Sequence, residues 1–210
     1  MPIESIASKK RRKWSRLKRT IFSLSPQLAE LFQIKFEINS PDRHFLEREV
    51  FTYINEKFGS NFSVMFVGMD RYNWHYPRLL RGRFFSIDLD PKKRRYGHKN
   101  HHTTGSVTQL SLFHQRDKFD VVICNGLIGY GVNDLKTFDD MLRECNLTLK
   151  KDGLFFVGFN NTPKFLSFDI EKATNWRQYK TFIPNIPGVT SHVHTVETSH
   201  CHTFLFYKKA

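Results

Sequence analysis

Two short apolar runs, separated by about twenty residues, constrain the fold of this chain most strongly. The first covers residues 64–67 and is followed by Gly68, and the second covers residues 84–87 and ends on Asp88. Short runs of this kind are typical of strands buried on both faces. A carboxylate at this distance from a glycine is typical of a nucleotide-binding βαβ unit. We therefore predict that a ligand with a ribose binds across the two strand ends, close to Gly68 and held by Asp88.

The first strand is followed by a reduced version of the usual glycine-rich turn. Only Gly68 is present, and polar and aromatic residues occupy positions 70–74. A lone glycine after a strand also occurs in ordinary strand-to-loop turns. A nicotinamide-dependent oxidoreductase is disfavoured, because its second and third glycines admit the pyrophosphate at the helix start.

The composition indicates one globular domain. At 210 residues, with 40% hydrophobic residues and 21 phenylalanines, the chain has enough apolar side chains for a complete core. No run approaches the roughly 18 apolar residues of a membrane span, and charges stand where a secretory signal has its apolar segment. Cys124, Cys145 and Cys201 are odd in number and widely spaced, which argues against disulfides and a cysteine zinc site. We expect a cytoplasmic protein with no transmembrane segment and with reduced, mostly buried thiols.

The net charge of +13 is concentrated near the N-terminus. Eight Lys and Arg residues and one Glu give residues 1–20 a charge of +7. Such a cluster repels itself and is typical of a solvated arm, so residues 1–24 are expected to be flexible and dispensable for stability. The functional alternatives are contact of residues 9–19 with nucleic acid or an anionic membrane surface, and nuclear import. Residues 25–60 are then predicted to form helices that pack on an α/β domain of residues 61–210.

Predicted helices and strands alternate along the rest of the chain. Apolar residues at helical spacing, with flanking Pro and Gly, predict helices near residues 26–32, 41–58 and 138–149. Apolar runs predict strands near residues 63–67, 84–88, 101–104, 119–124 and 154–159, and a closing hairpin at 191–198 and 201–207. This order predicts an α/β fold with a mostly parallel, Rossmann-like sheet, helices on both faces and a C-terminal antiparallel hairpin.

Four of these segments together resemble the motifs of class I S-adenosylmethionine-dependent methyltransferases, over residues 61–207. They are VMFVG at 64–68, SIDLDP at 86–91, KFDVVICNG at 118–126 and LKKDGL at 149–154. The closing hairpin is also typical of that family. The resemblance implies S-adenosylmethionine as the cofactor and methyl transfer as the reaction.

The resemblance also implies which residues contact the cofactor. Gly68 would lie near the methionine part, and Asp88 would hold the ribose. Asp90 precedes Pro91, and this pair independently predicts that Asp90 caps the next helical turn. Because the other glycines of the first loop are absent, three side chains would contact the methionine ammonium and carboxylate in their place. The further implied contacts are Asp70, Tyr72 and Asn73 to the methionine, Leu89, Ser106 and Val107 to the adenine, and Asn125 and Gly126 to the methionine and methyl group.

Methyl transfer is a direct displacement at the sulfonium methyl. It needs alignment of the nucleophile and a path for the nucleophile's proton more than it needs a metal. His75, Tyr130 and Asn160 are the candidates for this role in loops next to the predicted cofactor site. The predicted acceptor is a hydroxyl or amine of a small molecule or glycan. The alternative is a catalytically inactive domain that serves as a nucleic-acid or membrane adaptor through its basic arm.

Two pairs of histidines in the predicted hairpin constitute a competing hypothesis. His192 with His194, and His200 with His202, place two imidazoles on one face of each strand, as a metal site requires. Residues 98, 101 and 102 form a second histidine cluster. Without a carboxylate or cysteine at ligand spacing, we interpret these histidines as polar strand positions and predict no metal.

Overall fold

A computed structural model describes residues 17–18, 20–22, 24–31, 38–98 and 100–210, with no side-chain description for residues 28 and 30. Eight strands among these residues form one sheet in the order β3-β2-β1-β4-β5-β8-β6, and β7 also pairs with β8. Strands β1 to β5 are parallel, and β8 is antiparallel to its three partners. The strands are β1 (Ser63–Val67), β2 (Arg83–Asp88), β3 (His102–Thr104), β4 (Phe119–Asn125), β5 (Leu149–Asn160), β6 (Tyr179–Thr181), β7 (Val193–Val196) and β8 (His202–Lys209). The predicted fold class is confirmed.

The register of the central strands aligns their carboxyl ends. Val67 at the end of β1 pairs with Ile87 on one side and with Cys124 on the other. The chain runs outward from β1 to β2 and β3, then returns to the opposite side of β1 as β4. Such a reversal leaves a crevice at the carboxyl ends of the strands, where open parallel sheets bind ligands. Gly68, Asp88 and Asn125 all lie at this edge.

Helices cover both faces of the sheet and give two buried clusters. The helices are α1 (Pro26–Leu31), α2 (Pro41–His44), α3 (Phe51–Phe58), α4 (Tyr76–Leu79), α5 (Leu110–Phe113) and α6 (Leu135–Thr148), with a π-helical turn (Phe45–Val50) that joins α2 to α3. Short 3₁₀ turns cover Arg71–Asn73, Pro91–Tyr96, Val107–Gln109, Ile170–Lys172 and Thr174–Gln178. Within the described ranges, none of these helices is both long and apolar enough to cross a bilayer.

Apolar spacing explains where the two main helical segments pack. In the π turn and α3, Leu46, Val50 and Ile54 are buried against one face of the sheet, and Gly59, with φ of 67°, ends the helix. On the opposite face, Phe138, Met141, Leu142 and Cys145 of α6 are buried. Asp134, which precedes α6, accepts a hydrogen bond from the backbone N–H of Thr137 at 2.8 Å and caps it. Both predicted helices are therefore confirmed, although α6 begins three residues before the predicted position.

The structure corrects two details of the predicted C-terminal half. Residues 150–153, predicted as a turn after the helix, belong to β5, where the pairing shifts from Phe119–Leu149 to Val121–Leu154. Asp152, with φ of 58°, lies within this irregular stretch. The strand β6 was not predicted, and Tyr179 of that strand donates its hydroxyl to the carbonyl of Leu142 at 2.6 Å.

The packed part of the chain begins before residue 25. Phe22 is 2% exposed, with its ring centroid 5.8 Å from that of Trp74 and 6.2 Å from that of Tyr96. Leu17 and Leu24 are 48% and 78% exposed. Residues 1–16, which carry most of the predicted basic arm, lie outside the described residues.

Candidate functional site

An open cleft lies at the carboxyl ends of the central strands. It is lined by the ends of β1 and β2, by residues 105–108 and by residues between 127 and 137. The cleft therefore brings together Gly68, Asp88, Leu89, Ser106, Val107 and Tyr130, six of the residues predicted for the site. Their elements are adjacent in the sheet but separated along the chain, as the predicted crevice requires.

Asp88 is the most firmly oriented polar group of the cleft. Its Oδ2 accepts a hydrogen bond from the backbone N–H of Met69 at 2.8 Å, and its Oδ1 accepts one from the N–H of Asp90 at 2.8 Å. Each carboxylate oxygen has a second lone pair, so the group can accept two further hydrogen bonds. A pair of neighbouring hydroxyls, such as those of a ribose, matches this acceptor set.

Gly68 has both conformational and steric reasons to be glycine. Its φ is 85°, a region that residues with a Cβ seldom occupy. A Cβ at this position would also lie 2.9 Å from Cδ2 of Leu127. The backbone at the end of β1 can therefore approach a ligand closely without a side chain between them.

The part of the cleft beyond Asp88 is apolar. Leu89 is 71% exposed although it is a large hydrophobic residue, and both Leu89 and Val107 line the cleft. Ser106 accepts a hydrogen bond from the N–H of Thr108 at 3.2 Å and caps a 3₁₀ turn. Exposed apolar side chains beside polar groups are suited to a flat heteroaromatic ring.

The loop after β1 is braced by its own side chains. Asp70 accepts a hydrogen bond from the N–H of Arg71 at 2.6 Å and pairs with Lys93. Asn73 accepts one from the N–H of Asp70 at 2.7 Å and donates one to the carbonyl of Gly68 at 3.1 Å. Neither Asp70 nor Asn73 is among the residues that line the cleft. Their predicted contacts with a cofactor remain predictions.

The sequence analysis did not predict the contact of Lys93 with Asp70. Lys93 belongs to a run of four basic residues, 92–95, which is most simply a solvated face. The structure instead directs Lys93 back to Asp70, 23 residues earlier. No sequence spacing indicates this contact. By contrast, Asp90 caps the following 3₁₀ turn through the N–H of Lys92 at 2.9 Å, which confirms its predicted role.

The three candidates for the path of the acceptor's proton occupy different places, and one of them, Asn160, ends β5. Nε2 of His75 lies 3.3 Å from Oε1 of Glu47 in the π turn, and His75 does not line the cleft. Tyr130 lines the cleft, is 65% exposed and stacks on Phe165 with ring centroids 5.4 Å apart. Tyr72 is one of the predicted cofactor contacts. The guanidinium carbon of Arg43 lies over its ring, 4.9 Å from the ring centroid.

Asn125, at the end of β4, contacts His202, which the sequence analysis interpreted as an exposed polar strand position. The structure corrects this interpretation, because His202 is 5% exposed. Nε2 of His202 lies 3.1 Å from Oδ1 of Asn125, and its Nδ1 lies 2.9 Å from Oδ1 of Asn160. Burial, with a smaller contribution from the Arg43 charge, lowers the pKa of His202 to about 4, and Asp42 opposes this shift. Throughout the described part of the chain, no three His, Cys, Asp or Glu residues are arranged to hold a metal ion.

Comparison with known proteins gives a likeness of fold. No protein-family model matches the sequence, and a search of curated proteins finds no significant match. A TehB-like SAM-dependent methyltransferase from Corynebacterium glutamicum superposes with a TM-score of 0.55 at 12% identity, over 76% of this chain and 86% of that one. The N-methyltransferase NodS from Bradyrhizobium japonicum superposes with a TM-score of 0.55 at 12% sequence identity, over 81% of this chain and 98% of that one.

A third structure contains a ligand related to the predicted cofactor. It is the 1,6-didemethyltoxoflavin-N1-methyltransferase from Burkholderia thailandensis with bound 1,6-didemethyltoxoflavin and S-adenosylhomocysteine. Its TM-score is 0.55 at 14% identity, over 100% of this chain and 92% of that one. At such identities the likeness establishes the fold alone, and this fold, shared with SAM-dependent methyltransferases, agrees with the predicted fold class.

Proposed function

We propose that this protein is an S-adenosylmethionine-dependent methyltransferase that acts on a hydroxyl or amine of a small-molecule or glycan-type acceptor. The observation that carries the proposal is the oriented Asp88 carboxylate beside Gly68, in a cleft at the carboxyl ends of β1 and β2. The shared fold, and the S-adenosylhomocysteine bound in one structural neighbour, support the choice of cofactor.

The cleft residues fit this cofactor. Asp88 offers two acceptor positions for the ribose hydroxyls, and Leu89 and Val107 offer an apolar border for the adenine. Gly68 leaves room for a close approach. Asn125 is not among the residues that line the cleft, and it lies at the end of β4, where we place the methionine and methyl end. The bound cofactor would supply a methyl group on a sulfonium, which makes alignment of the acceptor the main task of the protein.

The proton of the acceptor needs a receiving group, and the chain provides two proposed ones. Tyr130 presents an exposed hydroxyl at the cleft. His75 lies outside the cleft lining, with its Nε2 3.3 Å from Oε1 of Glu47 but without a hydrogen bond to it. We assign the role of proton acceptor to whichever of these two side chains lies nearer the bound methyl acceptor.

Calorimetric titration with S-adenosylhomocysteine tests the proposal. Asp88→Asn should weaken binding about ten- to a hundredfold, as expected for loss of a charged hydrogen bond of about 1.5–3 kcal/mol. Asp90→Asn is the matched control and should leave affinity unchanged, because Asn also caps a helical turn well. If the wild-type protein binds no S-adenosylhomocysteine, the methyltransferase proposal fails and the adaptor alternative replaces it.

Contact with nucleic acid through the basic arm is a second proposed activity. Residues 71–95 carry eight Lys and Arg against two Asp, a net +6 beside the +7 of residues 1–20. Phe22 favours the proposal, because it packs against Trp74 and Tyr96 and brings the chain after the arm to this second basic segment. Binding should fall steeply with salt and disappear when residues 1–16 are removed. Salt-dependent binding to anionic vesicles alone would instead indicate a membrane contact.

A further inference from the structure

Three side chains from adjacent strands form a partly buried polar network at the carboxyl end of the sheet. Asn125 ends β4, Asn160 ends β5 and His202 begins β8. His202 is 5% exposed, and its two ring nitrogens lie 2.9 and 3.1 Å from the two amide groups. The proposed function assigns Asn125 to the cofactor but gives no role to His202.

A glycine creates the space through which the network forms. The side chain of Asn125 reaches across β5 at Gly158, its pairing partner. A Cβ on Gly158 would lie 1.9 Å from Oδ1 of Asn125 and 3.1 Å from Nε2 of His202. Gly158 does not have a positive φ, so glycine is needed here for space and not for backbone conformation. Any larger residue would displace the side chain of Asn125.

The number of protons on the imidazole determines how the two amides are oriented. A neutral imidazole has one N–H donor and one acceptor nitrogen. One amide must therefore turn its oxygen to the ring, and the other must turn its NH₂ group to the ring. For Asn125, this choice decides whether an oxygen or an NH₂ group is left for a ligand.

The surroundings of His202 keep the ring neutral. The ring is buried, and the charged groups facing it are Arg43 and Asp42 of α2, which act in opposite directions. Phe204 lies against the ring with centroids 4.9 Å apart. A neutral ring with both nitrogens engaged couples its tautomer to the orientations of both amides.

We propose that His202 is a positioning residue that fixes the side-chain amide of Asn125 and thereby selects the atom this amide presents to the methyl-transfer end of the cofactor site. This inference rests on the proposed function. It extends that function by giving the C-terminal hairpin a part in the site.

A double-mutant cycle in thermal stability tests the contact itself. Gly158→Ala should lower the melting temperature clearly in the wild-type background, because the new methyl group meets the Asn125 side chain. In the Asn125→Ala background the same change should cost much less, since the obstructing side chain is absent. Equal losses in the two backgrounds would overturn the proposed arrangement, whatever the protein binds.

The positioning role is tested by ¹⁵N NMR of the imidazole and by titration with S-adenosylhomocysteine. Between pH 5 and 8 His202 should show one fixed tautomer, and His202→Leu should weaken binding at least tenfold. His202→Gln, which keeps a donor and an acceptor, should restore part of that loss. His200→Gln, at an exposed position two residues away, should change neither signal nor affinity.

The outcomes separate the two proposals. Averaged tautomers, or wild-type affinity in His202→Leu, would overturn the positioning role while the methyltransferase proposal stands. If the wild-type protein does not bind S-adenosylhomocysteine, the methyltransferase proposal fails, and the double-mutant cycle and the tautomer still decide whether His202 holds Asn125.

Discussion

Removal of Phe22 should destabilise the domain, although the sequence places this residue in a dispensable arm. Phe22 is 2% exposed and packs between Trp74 and Tyr96. Replacement of a buried Phe by Ala costs about 3–5 kcal/mol. For a chain of this size, 1 kcal/mol corresponds to about 2–4 °C, so Phe22→Ala should lower the melting temperature by roughly 6–20 °C.

Thermal and urea unfolding of the full chain and four variants measure this effect. A chain that begins at Leu17 retains Phe22 and should melt within a few degrees of the full chain, whereas one that begins at Leu24 should melt like Phe22→Ala. Leu24→Ala is the control, because Leu24 is 78% exposed and surface substitutions usually change stability by less than about 0.5 kcal/mol. Wild-type stability of Phe22→Ala would refute the docking of this segment.

Three further substitutions test other parts of the structure. Asp70→Asn keeps a capping residue but removes the charge. If Asp70 accepts a hydrogen bond from the cofactor's ammonium, calorimetry should show S-adenosylhomocysteine binding weakened at least about tenfold. Unchanged affinity would show that Asp70 serves only as a cap paired with Lys93. Burial lowers the pKa of His202 from 6.5 to about 4, so His202 is protonated at a higher pH in the unfolded chain than in the folded one. The free energy of unfolding of the wild type should therefore fall by up to about 3 kcal/mol as pH falls from 6.5 towards 4. Urea titrations across this range should show a flatter profile for His202→Gln, and equal slopes would contradict the shift. Asp134→Ala should cost about 0.5–2 kcal/mol by loss of the cap of α6, and a stability change below that range in urea unfolding would contradict the capping contact.

Local patterns were sufficient to predict the central strands. The runs that form β1 and β2 are apolar, bounded by turn residues and end on Gly68 and Asp88, and the observed ends agree with the predicted ones. The capping role of Asp90 was also readable, because Pro91 follows it directly. In these places a few adjacent residues decide the conformation.

Features that depend on distant contacts could not be predicted. Strand β6 has only three residues, Tyr179–Thr181, and exists because β8 is long enough to pair with it. The burial of Phe22 depends on a space that Trp74 and Tyr96 create. The role of Gly158 depends on the position of Asn125 on the neighbouring strand. Each of these requires the completed sheet, which no local pattern contains.

The position of β8 in the sheet has a consequence for synthesis of the chain. Residues 154–160 of β5 pair with β8 along their whole length, and β8 begins only at His202. At 5–20 residues per second, roughly 2–8 s pass between translation of Asn160 and His202. Until β8 pairs with it, this stretch of β5 has an unpaired edge, which is a template for pairing with other chains. Completion of the sheet by β8 is therefore what removes the risk of association at β5.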